Sequence, residues 1–235
     1  MDKIVQDKIT MVISDYNTNL EFSDSHNIYE FIEKKVVKKN IVVIYNIKID
    51  FYELSVLDVI NKFLTKHNVR GKKFVDKVLK LSTLPVDYLN KDPFLLKESE
   101  KFKLLLALVL ALNPKVIIIK NISCFLDNKS RDEVMFTLKK LKREYDKTIV
   151  IVDNDIDYFY TVSDNVLIID NSEVIISGKK NLLFDNYSLL KRKKIPIPVH
   201  IEFIKYVKDN TDADMLIRDD VKDIMKDIYR SLWWY

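Results

Sequence analysis

The sequence predicts an α/β fold, a mainly parallel sheet with flanking helices, and three stretches carry that expectation. Leu104 to Leu112 is apolar at all nine positions, far short of the about 20 residues that cross a bilayer, so it reads as a buried helix. Asn113-Pro114 ends it, because proline has no amide hydrogen and disfavours helix in the residue before it. Val116 to Ile119 then reads as a strand buried on both faces, as in the middle of a parallel sheet. Thr148 to Val152 repeats that pattern after an intervening helix, and a strand-helix-strand crossover of this length implies parallel, right-handed pairing.

The remaining elements follow in chain order. Ile9 to Ile13 and Ile41 to Tyr45 read as strands, with a short helix over Asn27 to Lys35 between them. Ser55 is an N-cap for a helix carrying Val56, Val59, Ile60 and Phe63, and a second helix runs from Lys72 to Leu81. Ser130-Arg131-Asp132-Glu133 has the form of a capping box, in which the serine hydroxyl and the glutamate carboxylate satisfy free amides at a helix start. Val134, Leu138, Leu141 and Tyr145 line one face of that helix. Asp170-Asn171-Ser172-Glu173 joins Val166–Ile169 to Val174–Ile176 as a hairpin. Lys191 to Lys194 is a basic run that reads as a solvated linker. Ile195-Pro196-Ile197-Pro198 is an extended breaker, and helix patterns follow at His200 to Val207 and Asp219 to Leu232. The expected organisation is one domain over residues 1–190, with a helical subdomain at about 51–112, and a helical appendage over residues 191–235.

Composition narrows the chemistry. The 235 residues include two glycines, Gly71 and Gly178, where average usage of about 7% predicts roughly 16. Glycine-built phosphate cradles need positive φ and close backbone approach to the anion, and two isolated glycines cannot build one. The single cysteine, Cys124, excludes an intramolecular disulfide and fits a reducing compartment. The start, MDKIVQDKITMV, is too charged for a signal peptide or anchor, which gives a cytoplasmic expectation. Thirty-nine basic against 35 acidic residues leave a net charge of +4, too mild to argue for nucleic-acid binding. His26, His67 and His200 share no metal-ligand spacing. Trp233-Trp234-Tyr235 is an aromatic trio of the kind that concentrates at interfaces.

The stretch from Leu96 to Asp127, LKESEKFKLLLALVLALNPKVIIIKNISCFLD, resembles without a gap the part of ATP-binding-cassette (ABC) ATPases that runs from the signature motif through the Walker B strand to the D-loop. Leu96, Ala107, Leu110, Ala111, Pro114 and Leu126-Asp127 keep the family frame. TIVIVDNDIDYFYTVSDNVLIIDNSEVIISG, over residues 148–178, is similar to the switch region and last hairpin. The resemblance implies a P-loop-NTPase-like fold with a truncated N-terminal part. The Pro-marked leader and two helices after residue 190 resemble, more loosely, the appendage of the ATPase subunits of energy-coupling-factor (ECF) transporters.

The frame is kept where the chemistry is not. Lys97, Glu98 and Ser99 stand at the signature Ser-Gly-Gly, Lys120 at the Walker B aspartate, Asn121 at the catalytic glutamate, Asn154 at the switch histidine and Asn46 at the Q-loop glutamine. Asp127 alone matches, at the D-loop. No glycine precedes Asn46, so no Walker A loop, GxxxxGK[ST], can be read there. A lysine opposes Mg²⁺ where an aspartate would hold it, and an amide cannot serve as a base. A carboxylate such as Glu98 about 4 Å from a phosphate charge costs up to about 4 kcal/mol at an effective dielectric near 20, about a thousand-fold in binding.

The resemblance thus implies a catalytically inactive ABC-ATPase-like subunit, with no catalytic residue and no metal site, binding ATP and magnesium weakly at most. Its partners would be an ABC or ECF transporter membrane subunit or a paralogous ATPase subunit, in a homo- or heterodimer, without nucleic acid. Its location would be cytoplasmic, peripheral on the inner face of the membrane. Two alternatives stay open at this point: a transporter ATPase subunit with residual nucleotide binding, and a stand-alone interaction module for a membrane surface or RNA.

Overall fold

The structure, a computed structural model, describes residues 6–14, 41–44, 55–69, 72–171, 173–211, 215–219 and 221–232. Strands β1 (Ile9–Ser14) and β2 (Ile41–Ile44) come first. Helices α1 (Val56–Lys66), α2 (Lys72–Ser82) and α3 (Glu98–Ala111), strand β3 (Val116–Lys120), helix α4 (Asn128–Tyr145) and strand β4 (Thr148–Val152) follow. Then come α5 (Ile156–Tyr160), β5 (Asn165–Asp170), β6 (Glu173–Lys179), α6 (Leu182–Asp185), α7 (Tyr187–Arg192), α8 (Val199–Asn210) and α9 (Val221–Leu232). The chain divides into two compact units, residues 37–150 and residues 1–36 with 151–235.

In the unit over 37–150 the strand order is β2-β3-β4. β2 and β3 run parallel, Ile41 opposite Val116 and Ile44 opposite Ile119. Every residue of β3 is buried, as expected of a strand covered on both faces. The apolar run of α3 is buried from Leu106 to Ala111. Asn113 ends α3 at φ 50°, a left-handed conformation that asparagine tolerates better than most residues. Its Oδ1 accepts from Lys147 Nζ at 2.7 Å. Ser55 caps α1 as expected, accepting from Asp58 N at 3.2 Å. The loop after α2 satisfies two more free amides of α1, Val56 N donating to Lys91 O and Leu57 N to Leu89 O.

One expectation in this unit is overturned. Ser130 and Glu133 do not form a capping box, because α4 begins a turn earlier: Asp127 is its N-cap and accepts from Ser130 N at 2.8 Å. Ser130 is buried, and the Glu133 carboxylate is taken by Lys103 of α3.

In the other unit β1 runs parallel to β5, Thr10 opposite Asn165 and Ser14 opposite Ile169. β5 and β6 form the expected antiparallel hairpin, Asp170 opposite Glu173, with Asn171 at φ 49° in the turn. Gly178 has φ 155°, a backbone conformation that strains other residues, and a Cβ there would lie 2.8 Å from Leu182 Cδ1, so the leucine side chain would have to shift where β6 meets α6. α8 and α9 pack through Ile204, Met215 and Ile224, with Phe184, Val207 and Ile228 against them. The basic run is not a solvated linker throughout. Lys191 and Arg192 end α7, Lys191 pairs with Glu202 and Lys193 with Asp170. The helix expected over Asn27 to Lys35, the end of β2 at Tyr45, His26 and Trp233-Trp234-Tyr235 lie outside the described residues. Among the described residues no helix is long and apolar enough to cross a membrane.

Candidate functional site

The loop that leaves the C-terminal end of β3 holds three of the singled-out residues. Strand ends of this kind are where open α/β sheets place their ligands. Lys120 closes β3 and is 4% exposed. Burial in low dielectric disfavours its charge and lowers its pKa to about 8. Asn121 follows at φ 47°, so the chain turns sharply out of the strand, and a left-handed position suits asparagine where it would strain a glutamate.

Beyond that turn the loop is tied to itself. Ser123–Phe125 is a 3₁₀ turn, and the Cys124 thiol, exposed to solvent, donates to Asn121 O at 2.8 Å. Arg131 of α4 reaches back, its Nε donating to Leu126 O at 3.3 Å. Asp127 ends the loop as N-cap of α4. The amide and hydroxyl of Ser130 hold its carboxyl below the ordinary range, with smaller contributions from Lys103 and Lys97. Asp127 is thereby engaged in the helix start.

At the N-terminus of α3, Lys97 is the N-cap residue, and its amide donates to Glu100 Oε2 at 2.9 Å. Glu100 also accepts from the Tyr88 hydroxyl at 2.8 Å. Glu98 is exposed and pairs with Lys101 at 2.8 Å, so part of its charge is compensated one turn along the helix and the cost reckoned for a bare carboxylate is reduced. Ser99 is buried. Asn154 belongs to the other unit, where it is exposed just after β4. Its neighbours Asp153 and Asp155 use their carboxylates on backbone amides, of Asp155 and Tyr158 respectively. Asn46 lies outside the described residues.

Among the described residues no three His, Cys, Asp or Glu side chains are grouped to hold a metal ion. At β3 the donor set does not suit a magnesium nucleotide: a buried ammonium ends the strand, an amide follows, and the nearby carboxylate caps a helix. Sequence reasoning missed Arg131 and the Cys124–Asn121 bond, since contacts to backbone carbonyls leave no pattern in side-chain spacing.

No family model matches the chain. In sequence it is 29% identical over 156 residues to energy-coupling factor transporter ATP-binding protein EcfA2 of Clostridium acetobutylicum, covering 66% of this chain and 51% of that protein. The chain spans about half the length of the curated relatives it matches. Among solved structures, cbiO1 of Clostridium perfringens, part of the ABC transporter complex cbiONQ, superposes with a TM-score of 0.62 at 19% identity, covering 86% of this chain and 89% of that one. A bacterial ABC transporter cassette solved as a dimer gives 0.59 at 20%, covering 75% and 87%. The chain therefore has the α/β fold of the ABC ATPase cassettes and is similar in sequence to the ATP-binding subunits of energy-coupling-factor transporters.

Proposed function

We propose that the protein is a catalytically inactive ABC-ATPase-like subunit that serves as a scaffold or regulator in an ECF-type transport complex. The observation that carries this reading is Lys120, a buried cation at the end of β3 in the position where the resemblance puts the Mg²⁺-holding aspartate. Phosphoryl transfer needs charge neutralisation around the triphosphate and a group that orients the attacking water. Lys120 opposes the metal, Asn121 supplies no base, and Asp127 is engaged as a helix cap. The partner side of the proposal is supported by relatives named as transporter ATP-binding proteins and by a fold neighbour described as part of a transporter complex. A membrane subunit or a second ATPase subunit is the expected partner.

Isothermal titration of the purified chain with Mg-ATP, alongside a steady-state phosphate-release assay, tests the inactive part of this reading. Heat signals absent up to millimolar nucleotide and turnover no higher than buffer support it. Micromolar binding or magnesium-dependent release defeats it. Co-expression with an ECF-type membrane component tests the scaffold part, which fails if the two do not co-purify.

A further inference from the structure

The C-terminal helices α8 and α9 meet over a small core, Ile204, Met215 and Ile224, with Phe184, Val207 and Ile228 against it. Polar ties from this segment to the earlier part of the same unit gather around Tyr160. At the start of α8, Val199 N donates to Asp157 of α5 at 2.6 Å. Ahead of α9, Asp219 pairs at 2.7 Å with Lys180, which follows β6 and also donates to Tyr160 O at 3.2 Å. The His200 ring lies 4.6 Å from that of Tyr160. Tyr160 is fully buried, and neither its hydroxyl nor the buried Nε2 of His200 has a hydrogen-bond partner among the described residues. Folded proteins keep few such atoms, and each calls for a reason.

We propose that His200 is a proton-operated latch, neutral and seated against Tyr160 when the C-terminal helices are docked, and releasing α8 and α9 from the rest of their unit when it gains a proton in mild acid. The surroundings suit a neutral ring better than a charged one. The ring sits in the first turn of α8, the positive end of that helix, and the Lys180 ammonium lies over the Tyr160 ring at 4.8 Å. The carboxylates that face it are committed elsewhere, Asp157 to Val199 N and Asp219 to Lys180, and Glu202 on its own helix pairs with Lys191 of α7. Burial lowers the imidazole pKa from 6.5, Asp157 and Asp219 oppose the shift, and Lys180 adds to it. A released imidazolium is solvated and keeps its ordinary pKa, so protons favour the open form. A chain-terminal segment with a small core can come away without parting the strands of the sheet, at less cost than global unfolding. The inference rests neither on the reading of the nucleotide site nor on a transporter partner.

The test is native-state hydrogen exchange of the full chain, followed by mass spectrometry through a urea series at pH 7.5 and 5.5 and corrected for intrinsic exchange rates. Amides of α8 and α9 are expected to exchange faster than those of β5 and with a smaller urea dependence, because their opening exposes less surface. That opening should grow about three- to tenfold at pH 5.5, linkage allowing at most about tenfold for each pH unit below 6.5. His200→Phe and His200→Gln, neither of which can gain a proton there, should keep the opening and lose its pH dependence. Circular dichroism identifies which variants are folded, and the comparison of α8 with β5 in the wild type needs none. Exchange of α8 and β5 together with one urea slope, an opening that changes less than about threefold with pH, or the wild-type pH dependence in a folded variant overturns the proposal.

Discussion

The Lys103 ammonium of α3 meets the Glu133 carboxylate of α4, with side chains 10% and 31% exposed, and this pair links the long apolar helix to the one that follows β3. Removing one member of a largely buried pair leaves the other charge without compensation. Lys103→Met is therefore expected to cost about 2 kcal/mol of unfolding free energy. Lys103→Met with Glu133→Met together should cost clearly less than either change alone, because both desolvation penalties vanish with the charges. Urea midpoints of the wild type, two single variants and the double form a thermodynamic cycle that measures the coupling. Strictly additive losses would mean that the two side chains do not act as a pair.

Lys120 makes a second prediction, with opposite sign. A lysine whose folded pKa is lowered from 10.5 to about 8 is charged in both states below pH 8, and folding there carries the full penalty of burying the ammonium. Between pH 8 and 10.5 the unfolded chain keeps the proton that the folded one releases, so stability rises with pH across that window. Lys120→Met is expected to stabilise the fold at pH 7 by up to about 3 kcal/mol, the equivalent of the shift, and to flatten the alkaline rise. A variant less stable than wild type at pH 7 would show that the lysine's own contacts outweigh its desolvation.

The sheet and the buried helix were legible because their signals are local. An unbroken apolar run, a proline stop and a strand apolar at each position through Ile119 admit few other folds, and β3 is buried at all five positions. The start of α4 was misread because two caps compete within one turn. Ser130 and Glu133 have the spacing of a capping box, but Asp127 three residues earlier is as good an N-cap. A contact between α3 and α4 then decided the matter by drawing Glu133 to Lys103. The short helices α6 and α7, four and six residues long, offered too few turns for a helical period to emerge. At the site, substitutions at the resemblance positions were readable one by one. That Asn121 sits at φ 47° and that Asp127 is engaged as a cap depend on backbone geometry, which residue identity does not encode.

His200 sets the expected response to mild acid. It lies in the first turn of α8, its ring 4.6 Å from that of Tyr160, and its buried Nε2 has no hydrogen-bond partner. Burial lowers its pKa from 6.5, the carboxylates of Asp157 and Asp219 oppose that shift, and Lys180 adds to it. The N-terminus of α8, where Val199 N donates to Asp157 at 2.6 Å, is also a poor location for a cation. As pH falls below 6.5 the unfolded chain takes up a proton that the folded chain refuses, so stability is present above 6.5 and declines as pH drops toward the folded-state value. The carboxylates with lowered pKa, Asp127, Asp223 and Asp227 starting from 3.8 and Glu144 from 4.5, act in stronger acid. Thermal midpoints measured between pH 7.5 and 5 should therefore fall for the wild type and stay nearly level for His200→Phe, which keeps the aromatic contact with Tyr160 and has no proton to gain. Parallel declines in the two proteins would assign the acid sensitivity to another group and leave the neutral imidazole a packing residue only.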